Sequence, residues 1–185
     1  FWLKSGAALA PGEPGGDGTE VFSNDPFIPP GKFAAGPNFS TAPLEKDLEI
    51  TGPIALYLSA AIDRPDATWV VTIKDQSPDG SARVVTKGWL RASHRKLDAA
   101  RSKPYHPHTE SEPVPVNQVI EYAIEIRETS MLFGKGHRLL LEVRGQDTQT
   151  EDPIWYHLCS PVETRHTVHY GAKHPSYLLL PVIPG

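Results

Sequence analysis

Residues 120–127 read I-E-Y-A-I-E-I-R, so apolar side chains alternate with polar or small ones. Successive side chains of a β-strand point to opposite faces, so the stretch predicts a strand with one buried and one wet face. The same period of two recurs over 54–62, 69–74, 138–143, 167–170 and 178–182. A longer strand is predicted over Ala82–His94, and seven or eight strands are expected in total.

Turn residues separate these stretches. The chain of 185 residues contains 19 prolines and 15 glycines, and Pro78-Asp79-Gly80 is typical of a tight turn. No amphipathic helix longer than two turns is evident, so the fold class is all-β. The connections are unequal in length, and the longest, Arg95–Val116, is expected to cross between sheets. This favours a Greek-key or jelly-roll β-sandwich over a meander.

The first 43 residues differ from the remainder of the chain. Residues 11–18 read P-G-E-P-G-G-D-G, which suits neither a helix nor a central strand. We therefore predict an extended N-terminal arm over 1–43, packed on a sandwich formed by 44–185 as part of a single domain. Aromatic residues are spaced along the arm, and they pack on their own domain or face a partner domain. They are Phe1, Trp2, Phe22, Phe27, Phe33 and Phe39.

Composition limits the function classes. A length of 185 residues suits one domain, and a formal charge of −4 disfavours a nucleic-acid partner. No apolar run approaches the ~20 residues that span a bilayer, so no membrane partner is expected. The chain lacks a secretory pattern and has one cysteine, Cys159, which slightly favours the cytoplasm. Because it starts at Phe1 and its one methionine is Met131, we expect a fragment whose catalytic residues lie upstream.

Candidate chemical motifs are sparse. The G-x-S-x-G motif of a serine nucleophile is absent, as is the zinc motif H-E-x-x-H. Histidines at 106, 108, 166, 169 and 174 could supply imidazole ligands, but hydrogen bonds to loop backbone are the favoured interpretation. Asp63, Asp66, Asp75 and Asp79 match no calcium-loop spacing. We therefore predict no metal and no cofactor.

A basic patch with one aromatic residue lies in the predicted strand over 82–94. Lys87, Trp89 and Arg91 share one face of an extended strand. Such a face suits an acidic ligand or nucleic acid, or it pairs with carboxylates elsewhere in the fold. The net negative charge of the chain favours the pairing.

Several segments occur in an order that resembles a known family. They are L-E-I-T-G-P (48–53), S-P-D-G (77–80), G-W-L-R-A-S-H-R (88–95), P-Y-H-P-H-T (104–109), F-G-K-G-H-R-L-L-L-E-V (133–143) and H-P-S-Y-L-L-L-P-V-I-P (174–184). From about Asp25 to its end, the chain strongly resembles the C-terminal domain of the CocE/NonD hydrolases. That group includes X-Pro dipeptidyl-peptidases, cocaine esterase and α-amino-acid ester hydrolases.

The resemblance implies a jelly-roll β-sandwich of the galactose-binding-domain-like type, which follows an α/β-hydrolase domain and a cap domain. The family's serine, acid and histidine belong to the hydrolase domain, so no catalytic residue is assigned to this chain. The early loop of some members reaches the acyl pocket, which makes Phe33 and Phe39 candidates for the pocket edge. The chain departs from the family pattern at 144–147, which read R-G-Q-D.

Two functions from different classes follow. The first is an accessory domain of a serine hydrolase, an esterase or an X-Pro dipeptidyl-peptidase, with the α/β-hydrolase and cap domains of the same chain as partners. The second is a carbohydrate-binding module, whose sugar-stacking residues would be Trp2, Trp89 and Trp155. The surface left uncovered in a fragment predicts self-association, so a homo-oligomer counts among the expected partners. The predicted core includes Trp69, Val71, Ile73, Ile124, Leu141 and Leu180.

Overall fold

Eleven β-strands and one short 3-10 helix form the regular structure of the residues that the computed structural model describes, which are 1–28, 32–101, 103–147 and 162–184. The strands are β1 (Trp2–Lys4), β2 (Ala8–Ala10), β3 (Gly18–Ser23), β4 (Asn38–Ser40), β5 (Leu48–Ile62), β6 (Thr68–Gln76), β7 (Ala82–Arg91), β8 (Ile120–Phe133), β9 (Arg138–Arg144), β10 (Arg165–Tyr170) and β11 (Tyr177–Leu179). The all-β prediction is confirmed. No helix in the described ranges has the length and apolar character that a membrane span requires.

The alternating stretch at 120–127 lies in β8, as predicted. Tyr122, Ile124 and Ile126 are fully buried, whereas Glu121 is exposed. β8 pairs with β5 from Leu48↔Phe133 to Ala60↔Ile120, and the register shifts between Gly52 and Ile54. Pro53 lies at this shift, and a proline has no N–H to donate to the ladder.

The hydrogen-bonded strands close into a ring of nine. Around the ring the order is β5, β11, β1, β2, β4, β9, β6, β7 and β8, which pairs with β5 again. β10 also pairs with β5, at residues of β5 that follow those paired with β11. β3 pairs with β10 and is the edge strand. Every pairing is antiparallel except the parallel contact of β2 with β4. The hydrophobic core fills the inside of the ring.

The N-terminal arm contributes to this closure. Residues 1–43, predicted as an extended arm, contain β1–β4, three of which are only three residues long. Strands of this length are too short to produce a recognisable alternation. β1, β2 and β4 link β11 to β9, so the arm is hydrogen-bonded to strands at both of its ends.

β7 meets β8 at a single register pair, Gly88↔Ile126. A Cβ atom at Gly88 would lie 2.4 Å from the carbonyl oxygen of Glu125, so only glycine lets the two backbones approach this closely. The strand predicted over 82–94 ends earlier, at Arg91, and Ala92–His94 form the 3-10 helix. The Asp66 carboxylate accepts a hydrogen bond from the backbone N–H of Ser93 within this helix at 2.9 Å.

The core prediction is largely confirmed. Five of its six residues, Trp69, Val71, Ile73, Ile124 and Leu141, have no exposed surface. Leu180 is half-buried at the margin of the core, and its neighbour Leu178 takes the fully buried position.

Candidate interaction surface and ionic cluster

Four segments meet at one end of the ring, where β9 ends. They are 24–28, 32–37, 144–147 and 162–164, which together we call the β9 end. Asn24 and Thr164 exchange hydrogen bonds, at 3.2 Å from the Asn24 N–H and at 2.8 Å from the Thr164 N–H. The Gln146 amide donates to the Asp25 carbonyl at 2.7 Å, and the Arg144 guanidinium donates to the Pro37 carbonyl at 2.8 Å. Segments 24–28 and 32–37 are therefore both hydrogen-bonded to the last residue of β9 or to the residues just after it.

Large apolar side chains are exposed on these loops. Phe27 is 83% exposed and Phe33 is 65% exposed. Residues 23–27 and 162–163 line an adjoining cleft of about 660 Å³. Scattered apolar residues are ordinary on a protein surface, but two exposed phenylalanines on neighbouring loops are typical of an interaction surface.

Phe33 and Phe39, the two predicted pocket-edge residues, lie in different environments. Phe33 is on the exposed loop, and it remains a candidate. Phe39 lies in β4 with no exposed surface, and its ring packs edge-on against Tyr170 with centroids 6.3 Å apart. A core ring presents no surface to a substrate, so only Phe33 is carried into the proposal below.

A buried ion pair lies beside the β9 end. The Lys87 ammonium contacts an Asp147 carboxylate oxygen at 2.6 Å, and their side chains are 5% and 1% exposed. The other Asp147 oxygen accepts the indole N–H of Trp89 at 3.0 Å. The Asp147 carboxylate thus connects the segment after β9 to two side chains of β7, those of Lys87 and Trp89. Charges this deeply buried are costly unless they are paired and hydrogen-bonded, and these two meet both conditions.

Further ion pairs are formed by side chains of β6 and β9, and together with the Lys87–Asp147 pair we call them the ionic cluster. The Lys74 ammonium lies 2.8 Å from the Glu142 carboxylate, and the Arg144 guanidinium contacts both Glu142 and the side chain of Asn38. On the exposed rim, the Arg91 guanidinium contacts Asp66 at 2.6 Å. The prediction that the cations near Trp89 pair with carboxylates is therefore confirmed for Lys87 and Arg91.

The tryptophans named for sugar stacking are engaged within the protein. The Arg127 guanidinium lies 4.9 Å from the centroid of the Trp89 ring. Trp2 packs against Tyr177 with ring centroids 4.9 Å apart. Trp155 lies outside the described residues. A sugar-stacking platform needs an open aromatic face, so this geometry does not favour the carbohydrate-binding alternative.

His166 is fully buried in the β9 end. Its ring stacks on Phe22, with centroids 4.8 Å apart and planes 6° apart, and meets the edge of Trp69 at 4.8 Å. Its Nδ1 lies 3.0 Å from the Thr164 carbonyl, so the neutral tautomer donates from Nδ1. Burial lowers the pKa of His166 to about 4, although the Thr164 hydrogen bond and the Asp63 charge act in the opposite direction.

The histidines of the P-Y-H-P-H-T segment stabilise a loop. His106 is buried, and its Nε2 lies 2.7 Å from the Ala123 carbonyl while its Nδ1 lies 3.2 Å from that of Lys96. Burial, together with His106 and His94, lowers the pKa of His108. Backbone hydrogen bonding, the favoured interpretation of these residues, is thus confirmed for His106 and His166.

The groups considered as metal ligands are scattered. Across the described ranges, no three His, Cys, Asp or Glu side chains are placed to hold a metal ion. His169 and His174 are neighbours, with ring centroids 5.3 Å apart. The four aspartates considered for calcium bind protein groups, and they are Asp63, Asp66, Asp75 and Asp79.

Asp147 and His166 were not predicted as partners of the β9 end. Their partners are distant in sequence, since Lys87 lies 60 positions from Asp147. One signal was available for Asp147, because residues 144–147 depart from the family pattern. For His166 the alternation of the strand was the available signal, since its neighbours on the same face are Val168 and Tyr170.

The fold is similar to that of solved hydrolases. A CocE/NonD family hydrolase from Staphylococcus aureus superposes with a TM-score of 0.82 and 22% identity, covering 98% of this chain and 36% of that one. An α-amino acid ester hydrolase superposes with a TM-score of 0.77 and 20% identity over the same shares.

Curated relatives resemble the chain in sequence. A Mycobacterium tuberculosis protein that is named as a serine esterase is 28% identical over 152 residues, which are 78% of this chain and 23% of the relative. Cocaine esterase from Rhodococcus is 25% identical over 156 residues, which are 78% of this chain and 25% of the esterase. The chain therefore spans about a quarter of the length of these relatives.

A family model decides the assignment. The model described as the X-Pro dipeptidyl-peptidase C-terminal non-catalytic domain matches residues 34–179. This range contains β4 to β11 and most of the β9 end. It also contains the paired charges of Lys74, Lys87, Glu142, Arg144 and Asp147. The resemblance to the C-terminal domain of CocE/NonD hydrolases is confirmed, and the chain belongs to the family of X-Pro dipeptidyl-peptidase C-terminal non-catalytic domains.

Proposed function

We propose that the chain is an accessory domain of a serine hydrolase, an acyl esterase or an X-Pro dipeptidyl-peptidase. It packs on the α/β-hydrolase and cap domains of the same polypeptide and contributes no catalytic residue. The family match over 34–179 carries this proposal, because that family is described as non-catalytic. Neither a cofactor nor a metal is part of the proposal.

The finer description of the fold belongs to this proposal. We infer a jelly-roll β-sandwich of the galactose-binding-domain-like type over 44–185, with 1–43 as the arm of the same domain. The long antiparallel pairing of β5 with β8 and that of β6 with β7 and β9 support two packed layers. In this description the two layers would enclose the one core, and the arm strands would connect their edges.

The β9 end is the surface that we propose for packing on the hydrolase domain. Its exposed phenylalanines supply apolar contact area, and the Lys87–Asp147 pair stabilises the segment on which the loops depend. Phe33 would form part of the edge of the acyl pocket. Covering such a site excludes water, which strengthens the electrostatic stabilisation of an oxyanion in the hydrolase domain.

The division of labour can be tested with p-nitrophenyl esters. We expect the purified 185-residue chain to give no turnover above the buffer rate, because the nucleophile belongs to the hydrolase domain. The full-length parent is expected to hydrolyse the same esters, and alanine replacement of its nucleophilic serine provides the matched control. Serine-dependent turnover by the 185-residue chain alone would contradict the proposal.

Phe27→Asp tests the packing surface. Burying a phenylalanine stabilises a contact by about 1.5–3 kcal/mol, so a charge at this position should lower the stability of the full-length parent by at least that amount. The 185-residue chain should change by no more than about 0.5 kcal/mol, because Phe27 is exposed in it. Thermal inactivation of the parent and urea unfolding of the chain measure the two effects.

Leu132→Asp is the matched control for Phe27→Asp. Leu132 is 54% exposed and lies near the far end of β8, away from the β9 end. This change should leave the parent unaffected. Equal losses from the two substitutions would contradict the assignment of the β9 end. Phe33→Asp, measured in the same way, should also raise the KM of the parent for bulky acyl esters if Phe33 edges the pocket.

A further inference from the structure

The proton-accepting atom of His166 lies beneath a segment of the β9 end. Because Nδ1 donates to the Thr164 carbonyl, a proton can add only at Nε2. Among the described residues, Nε2 has no hydrogen-bond partner. A Cβ atom at Gly145 would lie 2.5 Å from Cε1 and 3.0 Å from Nε2 of this ring, so the backbone of Gly145 covers that edge.

The covering segment is continuous with the rest of the β9 end. Gly145 lies between Arg144, which binds the Pro37 carbonyl, and Gln146, which binds the Asp25 carbonyl. On the other side of the ring, the Thr164 carbonyl accepts the hydrogen bond from Nδ1–H, and Thr164 also pairs with Asn24. The imidazole thus contacts two of the four segments of the β9 end, and Thr164 connects it to a third, 24–28.

Protonation would place a cation in this site, with an N–H for which the described residues supply no acceptor. A buried charge without a hydrogen-bonding partner is strongly unfavourable. Water can solvate the new N–H only if the Gly145 segment moves away from the ring. Asp63 is the charged group whose field acts on His166, and the side chains that stack on the ring from β3 and β6, Phe22 and Trp69, carry no charge. Asp63 favours the charged form, and burial outweighs it.

We propose that His166 is a pH-sensitive latch of the β9 end. The neutral imidazole holds segments 144–147 and 162–164 against the core, and its protonation on mild acidification releases them while the ring of strands stays folded. In the parent enzyme this release would loosen the packing of the domain on the hydrolase. That consequence rests on the proposed function, whereas the latch itself does not.

The size of the expected pH effect follows from the difference between the pKa of His166 in the closed form and in the open form. His166 has a pKa of about 4 in the closed form and the ordinary value of 6.5 when exposed. The closed form is therefore fully favoured above pH 6.5 and loses stability as the pH falls towards 4. Between pH 7 and pH 5 the opening equilibrium should rise roughly 20-fold.

Hydrogen exchange of the 185-residue chain tests the latch. The amides of Asn24 and Thr164 should lose roughly 20-fold in protection between pH 7 and pH 5, after correction for intrinsic rates. At both pH values they should exchange much faster than the amides of Ile73 and Leu141 in the β6–β9 pairing. Equal protection of the two sets would overturn the latch, because the segments would then open only with global unfolding.

His166→Phe is the matched variant, since phenylalanine keeps the stacking on Phe22 and cannot be protonated. In this variant the protection of Asn24 and Thr164 should no longer depend on pH. An NMR titration of the wild-type ring gives a reading that does not require the variant to fold. A ring that titrates near 4 supports the latch, and one that titrates near 6.5 overturns it. Neither measurement involves hydrolase activity, so a failure of the proposed function would leave these results unchanged.

Discussion

Replacing Trp69 with alanine is expected to lower the free energy of unfolding by about 3–5 kcal/mol. The Trp69 ring has no exposed surface and contacts the rings of Tyr122 and His166, so its removal leaves a cavity between β6, β8 and β10. The loss is a large part of the roughly 5–15 kcal/mol that stabilises an ordinary domain. Thermal unfolding should show a melting temperature lowered by roughly 6–20 °C.

Two substitutions serve as controls for Trp69→Ala. Trp69→Phe retains an aromatic ring in the core and should cost less. Val182→Ala shortens a side chain that is 44% exposed, and it should change the stability by no more than about 0.5 kcal/mol. A melting temperature of Trp69→Ala equal to that of the wild type would show that the ring is not buried.

Removing the Asp147 carboxylate is expected to be comparably damaging. Asp147→Ala leaves the Lys87 ammonium buried without this counterion and the Trp89 indole N–H without this acceptor. Breaking a buried pair from one side costs about 3–5 kcal/mol. Urea unfolding at pH 7 measures this loss, and Asp147→Asn should lose less because its amide oxygen can still accept from Trp89.

A double substitution separates the charge from the packing. Lys87→Met combined with Asp147→Asn removes both charges and keeps an acceptor for the indole. Because replacing a buried ion pair by neutral groups is often close to neutral, the double variant should be more stable than Lys87→Met alone. Strictly additive losses would mean that the two side chains do not interact, which would contradict the geometry.

The parts of the fold that follow from local patterns could be predicted. Long strands with one buried face alternate over enough residues to be recognised, which is why the core around Trp69 and Ile124 was identified. The three-residue strands of the arm carry no such pattern, and their pairing depends on contacts distant in sequence. Ring closure was missed for the same reason, since a single register pair such as Ala8↔Ser40 leaves no trace in the sequence.

The candidate surface was predictable only in part. The resemblance indicated the early loop, and Phe33 is exposed on it as a surface residue should be. Phe39, the other residue that the resemblance indicated, lies in β4 with its ring buried in the core, which a resemblance of loops does not reveal. Asp147 and His166 depend on tertiary contacts with Lys87 and Gly145, and no spacing rule connects those positions.

Closure through β1 affects how the chain can fold. β1 pairs with β11, and the Phe1 amino group donates to the Leu178 carbonyl across 177 positions of sequence. Contacts between positions that are remote in sequence form slowly, because the entropic cost of closing a long loop comes before the favourable free energy of the contacts. During synthesis the first strands leave the ribosome long before their late partners, so β1 has an unpaired backbone edge until β11 is made, and β4 until β9 is made. The hairpin of β6 and β7 is the natural nucleus, and the seam between the two ends of the chain is expected to form last.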